Sequence, residues 1–304
     1  MTGHPIPRGS IVVGVDGSEH ADRAVDWAAE QAALEHRTLA LVHGADQLVL
    51  RDTAWLDVQG IDHRELAKAL RQAADAVVAS ARGRALSVAA ELDVVTDVVD
   101  ADPRVALSDL SSRAHLVVLG SRGRGPVASA VLGSVSASVT RHAQCPVVVC
   151  RPPRERSAAP DRVVVGADGT TASRPVLEFA FQQASLRAAP LTVMHCFYDV
   201  AVATDGVRVI PAGSAEAVEE LPDLRLLLAE SVAGLAEKYP DVEVTQQLAR
   251  GLVDQCLSDH APDAALVVVG RTDAHGWSRF LHASCALAVL ERAHTTVAVV
   301  PEGT

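Results

Sequence analysis

Aromatic side chains make up only 3% of the 304 residues, and lysine occurs just at Lys68 and Lys238, so nearly all of the 27 basic residues are arginine. The shortage of rings excludes the stacking platforms that hold single-stranded nucleic acid. The arginine bias is what a GC-rich coding sequence produces. Positive charge is also in deficit, with 38 acidic residues and a net charge of −11. That excludes a polyanion bound across the whole surface but leaves room for a local cationic site that takes a small anion. The five cysteines, Cys145, Cys150, Cys196, Cys256 and Cys285, contain no CxxC pair and are odd in number, which argues against a disulfide scaffold and for buried, reduced thiols. No stretch approaches about 18 uninterrupted apolar residues, and Met1–Ser10 has no apolar core of a targeting segment. The expectation is a soluble cytoplasmic chain with no membrane partner.

What is present is aliphatic. Apolar residues reach 49%, mostly Ala, Val and Leu, which suits parallel strands covered by helices. The length suits two domains of about 150 residues, and the sequence repeats itself accordingly. Ile11-Val-Val-Gly-Val-Asp-Gly-Ser18 returns as Val163-Val-Val-Gly-Ala-Asp-Gly-Thr170. His115-Leu-Val-Val-Leu-Gly120 returns as Ala265-Leu-Val-Val-Val-Gly270, and Cys145-Pro-Val-Val-Val-Cys150 as Thr295-Thr-Val-Ala-Val-Val300. Matched segments in one order indicate duplication. The first copy is assigned to residues 1–150, a Pro-rich linker to 151–160 and the second copy to 161–304.

Within the first copy, apolar runs at 11–16, 38–43, 86–95, 115–120 and 146–150 read as strands. They alternate with helical patterns from Ser18, around 62–82, over 102–112 and over 134–142. The second copy reads the same way, with its later helices at 222–238, 253–260 and 284–293 and a strand at 242–248. Such alternation predicts α/β domains, each a five-stranded parallel sheet with helices on both faces. The last strands, 146–150 and 296–300, are apolar and carry no internal charge or proline. They are expected to pair antiparallel with each other, which makes the tandem chain a pseudo-dimer and leaves a homodimer open; cover by a loop or another chain is the alternative.

The segment richest in chemistry runs from Gly120 to Ser136. It leaves a strand and ends at a helix start, where open α/β sheets bind ligands. Gly120, Gly123 and Gly125 let backbone N–H groups approach an anion. Gly133-Ser134 opens a helix whose unpaired N–H groups favour phosphate. The hydroxyls of Ser134 and Ser136 add donors, and Arg122 and Arg124 add charge. A Ser-capped Gly-rich connection with no ligand is the bland alternative. There is no GxxxxGK[ST], so a P-loop is excluded. Gly123-Arg-Gly125-Pro-Val-Ala128 fits GxGxx[GA] formally, but no ribose-binding acid follows about 20 residues on.

Gly120-x2-Gly123-x9-Gly133-Ser134 resembles the universal stress protein signature G-x2-G-x9-G-[ST], and the wording of the loop is similar to the family's ATP-binding branch. The resemblance covers both copies, in the tandem form common in actinobacteria. It implies a Rossmann-like sheet with ATP, with or without Mg2+, across the strand ends. Gly14, Val15 and Asp16 would border adenine and ribose, and Gly44 would meet the adenine. Gly120, Ser121, Arg122, Gly123, Gly133, Ser134, Val135 and Ser136, with Arg124 and Gly125 in the same loop, would hold ribose and phosphates. Asp16 also fits a simple turn former.

In the second copy Gly166, Ala167, Asp168, Gly270, Arg271 and Ser284 persist as candidates. Asp273 and Ala283, however, replace two glycines and oppose phosphate, so binding there is expected to be weaker. His260, His275 and His282 are placed near this second site without a metal spacing, and Trp55 and Trp277 read as packing or lid residues. Asp16 is the single acid beside the first loop. Phosphoryl transfer needs more than that, so a nucleotide-sensing regulatory module in a stress response is favoured. cAMP signalling and weak ATPase activity are the alternatives.

Overall fold

The computed structural model describes residues 6–45, 63–123, 132–152, 162–197, 200–203, 206–209, 215–261, 264–271 and 278–303, with the backbone alone at 63–64, 200–203, 206–209, 215–221 and 278–284. Trp55, Arg124, Gly125, Asp273, His275 and Trp277 therefore lie outside the described residues, as does most of the linker. The chain divides into two compact units, Met1–Pro152 and Pro153–Thr304.

In the first unit the elements are β1 (Ile11–Gly14), α1 (Glu19–Glu35), β2 (Leu39–Gly44), α2 (His63–Val88), β3 (Val94–Val99), α3 (Pro103–Ser111), β4 (Leu116–Gly120), α4 (Ser134–His142) and β5 (Val147–Cys150). All its strand pairs are parallel, in the order β5-β4-β1-β2-β3. Helix α1 packs with α2 and α3 with α4, one pair to each face. Residues 11–13 are buried to within 1%, as expected of a strand covered on both sides.

Helix α1 starts because the Ser18 hydroxyl accepts the Ala21 N–H at 3.2 Å, a cap worth about 1 kcal/mol. It ends at His36 in the left-handed conformation. Its buried stripe of Ala24, Val25, Ala28, Ala29 and Ala32 is small, which lets the helix lie close on the sheet. Pro103 opens α3 behind the Asp102 cap, where its missing N–H costs nothing.

The third strand corrects the sequence reading of 86–95. Ala74, Val78, Ala81 and Ala85 are buried at helical spacing, so α2 runs on to Val88 and the strand begins only at Val94. The apolar run Ala85–Ala90 belongs to a helix end and turn, and β3, with Thr96 and Asp97, is half-buried as the outer strand.

The second unit repeats the plan with β6 (Arg162–Gly166), a short 3-10 turn, α5 (Arg174–Leu186), β7 (Leu191–Phe197), α6 (Ala215–Lys238), β10 (Val244–Arg250), α7 (Val253–His260), β11 (Ala264–Arg271), α8 (Ser278–Arg292) and β12 (Val297–Pro301). Its parallel order is β10-β7-β6-β11-β12. Helix α8 begins at Ser278 rather than at 284, so Ala283 and Ser284 lie within it instead of at its start, and two further differences from the sequence reading stand out. A hairpin of β8 (Val200–Ala203) and β9 (Gly206–Val209) is added. Helix α6 also begins before Pro222, because Ala215 to Leu221 are strong helix formers apart from one valine. Among the described residues no helix is long and apolar enough to cross a membrane.

At the amino edge of the first sheet the nearly buried Glu35 carboxylate accepts from Arg37 Nε at 2.8 Å, His115 Nε2 at 2.7 Å and the Gln31 amide. Burial pushes this carboxyl up, but the bonds from His115, Gln31 and Arg37 outweigh it and hold it below the ordinary glutamate range. The stabilisation is therefore full above that range and is lost as pH falls through the lowered value. The variant Glu35→Gln should lower the Tm at pH 7 and flatten the acid limb of a Tm-versus-pH curve. An unchanged acid limb would show that the cluster contributes nothing to acid stability.

Candidate functional site

The carboxyl ends of β1, β2 and β4 surround a cavity of about 500 Å3. Of the residues singled out in the first copy, Gly14, Val15, Asp16, Gly44, Gly120, Arg122, Gly123, Gly133, Ser134, Val135 and Ser136 all line it. Ser121 does not. It is buried, and its hydroxyl pairs with His20 Nδ1 at 3.2 Å.

Each wall has a local cause. Strand β4 ends at Gly120 directly under the first turn of α1, where a β-carbon would stand 2.6 Å from the His20 carbonyl oxygen. Only glycine lets the two backbones meet that closely. Asp16 closes a tight turn, its Oδ1 accepting from the Ser18 N–H at 3.0 Å and hydroxyl at 2.7 Å. Its Oδ2 points toward Gly123, 2.6 Å from where a β-carbon would be. Asp16 is thus a turn former and a cavity residue at once.

Helix α4 starts at Gly133, extended at φ −62° and ψ 148°, with no side chain capping it. The Gly133 N–H donates to the Ser121 carbonyl at 2.9 Å, which fixes the loop against the helix start. An uncapped helix start in a cavity wall is receptive to an anion. The Ser136 hydroxyl donates to the Gly120 carbonyl at 2.7 Å, so this serine ties α4 to β4 while its residue still borders the cavity. Burial, then Arg23 and Arg122, depress the His20 pKa, which keeps its imidazole neutral at pH 7. The cationic character of the described wall therefore rests on Arg122.

Several lining residues were not anticipated from the sequence: Val42, Leu107, Leu119 and Leu132 as apolar walls, and His43. The His43 Nδ1 donates to the Val15 carbonyl at 2.7 Å, and His195 repeats the bond to Ala167 at 2.9 Å. The signal was in the duplication, since these histidines stand at equivalent places in the two copies.

In the second unit Asp168 makes the same turn, its Oδ1 accepting from the Thr170 N–H and hydroxyl, both at 2.8 Å. The strand end differs. The Glu302 side chain lies against Gly270, its N–H donates to the Arg271 carbonyl at 3.0 Å, and the Gly303 N–H donates to Ala172. Arg271 is buried, so it does not rim an open crevice. Gly166 backs onto Leu257, and Ala167 is buried beside it. The side chain of Ser284 lies outside the described residues. A cavity of about 300 Å3 in this unit is lined instead by Gly169–Thr171, Arg174, Leu177 and the face of α6 from Leu227 to Leu235. His260, expected near this site, sits at the end of α7. Its carbonyl accepts from Arg162 at the opening of β6, at the opposite edge of the sheet.

The sequence matches the universal stress protein family over residues 7–151 and again over 160–301. It is 35% identical to Universal stress protein Rv2005c of Mycobacterium tuberculosis over 306 residues, covering 97% of this chain and 98% of that protein. It is 34% identical to Universal stress protein Rv2623 of the same organism, covering 96% of each. Among solved structures it resembles a universal stress protein from Archaeoglobus fulgidus with a TM-score of 0.68 over 98% of both chains, at 17% identity, a likeness of fold. With the family's domain matched twice along the sequence and relatives alike over nearly the full length, the chain belongs to the universal stress protein family.

Proposed function

We propose that the first unit binds ATP and that the protein acts as a nucleotide-sensing module rather than an enzyme. The observation that carries this reading is the cavity at the ends of β1 and β4 with the uncapped start of α4 in its wall. Its volume of about 500 Å3 falls within the range of roughly 300–1,000 Å3 usual for small-ligand sites.

In this reading the adenine lies among Val15, Val42, His43 and Gly44. Asp16 accepts hydrogen bonds from the ribose hydroxyls. The phosphates meet the backbone N–H groups of Ser134 to Ser136, the open backbone of Gly123 and the Arg122 guanidinium. Arg124 and Gly125 complete the loop, and Mg2+ would be carried by the phosphates. Asp16 is already engaged by its own turn, which leaves it poorly suited to act as a base. That favours binding over hydrolysis. In the second unit Glu302 lies on Gly270, a carboxylate where a phosphate would approach, and nucleotide is expected to bind weakly or not at all.

Calorimetry of the purified chain with ATP and with cAMP, each with and without Mg2+, is the direct test. One ATP per chain is the expected stoichiometry. Two would overturn the reading of the second unit, tighter binding of cAMP would move the protein to cyclic-nucleotide signalling, and no binding of either would remove the proposal.

The variant Gly123→Asp sets a second carboxylate against Asp16. It should weaken ATP by at least about tenfold, the scale of one lost charge-assisted contact, with the Tm of the unliganded protein little changed. Wild-type affinity in that variant would mean the phosphates lie elsewhere.

A further inference from the structure

The three cysteines of the second unit come from separated elements, Cys196 from β7, Cys256 from α7 and Cys285 from α8. Contacts shared by the two copies fix their equivalents. His43 and His195 make the same bond to the preceding strand end, so Cys196 stands at the position of Gly44. Leu107 packs on Gly14 as Leu257 packs on Gly166, so Cys256 stands at the position of Ala106. Ser284 matches Ser134 in the loop motif, so Cys285 stands at the position of Val135. Gly44 and Val135 line the cavity of the first unit. The second copy has put sulfur at both places and a third sulfur behind them.

The Gly251 N–H donates to the Phe197 carbonyl at 3.1 Å and helix α7 packs against β7, which brings Cys256 beside the strand end that carries Cys196, and both Cys256 and Cys285 act on the Cys196 thiol. Cys256 is buried, with its sulfur 3.3 Å from where a β-carbon on Gly251 would stand. Cys196 and Cys285 are only partly covered, and none of the three is in a disulfide.

We propose that Cys196 and Cys256 form a redox couple that a hydroperoxide closes to a disulfide, linking the end of β7 to α7. The Cys196 sulfur attacks one peroxide oxygen, the O–O bond breaks, and a sulfenic acid and an alcohol (water, from hydrogen peroxide) are left. The Cys256 sulfur then displaces the sulfenic oxygen as water while the S–S bond forms. The peroxide is reduced, the two thiols are oxidised, and their protons leave with the oxygens.

Burial, with Cys256 and Cys285 alongside, pushes the Cys196 thiol up to about 12, and burial also raises Cys256 and Cys285. The thiolate is scarce at neutral pH, so closure is slow and accelerates with pH. The same surroundings deny the reduced form the thiolate stabilisation that makes an oxidising dithiol easy to reduce. Once formed, the bond is retained.

The test is hydrogen peroxide treatment of the full chain, followed by non-reducing digestion and mass spectrometry. The expected product is a Cys196–Cys256 cross-linked peptide, two hydrogens lighter than its parts and released by dithiothreitol. Its formation should speed up by about tenfold per pH unit between roughly pH 7 and 9. Cys285→Ser should keep the cross-link, and Cys256→Ser should leave Cys196 as a sulfenic acid that dimedone traps. A bond to Cys285 instead, sulfinic acid at Cys196 without a cross-link, or unmodified peptides would each overturn the assignment. The wild-type peptide map decides the question alone if Cys256→Ser does not fold.

Discussion

Strand β1 lies between β4 and β2, all three parallel, and this order obliges the connections that leave β1 and β4 to part toward opposite faces of the sheet. The chain after β1 rises into α1, the chain after β4 passes toward α4, and a crevice is left where they separate. The close meeting of Gly120 with the His20 carbonyl sets the depth of that crevice, and the Asp16–Ser18 turn sets its rim. The Gly133 N–H bonded to Ser121 then points the open start of α4 inward. Each contact concerns backbone position, which is why glycines and short polar side chains stand at these points.

The two edges of the sheet divide the labour. The amino edge carries the Glu35 cluster, where a charge is buried among three donors and serves the fold. At the carboxyl edge polar groups are left facing a cavity. A residue at one edge can therefore change with little consequence for the other, and the two copies of the scaffold differ at their carboxyl edges.

Most of the fold was legible because strands buried on both faces read as uninterrupted aliphatic runs, and because the sequence states them twice. The boundaries that failed did so for definite reasons. Ala85 to Ala90 is as apolar as a strand, and only the 3–4 spacing of the buried alanines distinguishes it as a helix end. Pro222 reads as a helix start until the helix formers ahead of it are weighed. At the candidate site, Gly120, Gly123 and Gly133 stood out by their spacing and Asp16 through the family resemblance, and all four line the cavity. The apolar walls, Leu107 and Leu119, were not legible, since nothing local separates a cavity-lining leucine from a core one. The Glu302 contact with Gly270 was invisible for another reason: it joins residues far apart in the sequence, and no motif announces it.

That contact separates the copies in a way that composition does not express. Whatever enters an open crevice does so according to its concentration, and the stability a bound ligand adds to any protein grows with that concentration. A carboxylate covalently part of the chain has no such dependence, because its occupancy at Gly270 is set by folding alone. Duplication has thus left one copy with an open crevice at its strand ends and the other with that strand end covered by its own chain, a variable beside a constant within a single polypeptide.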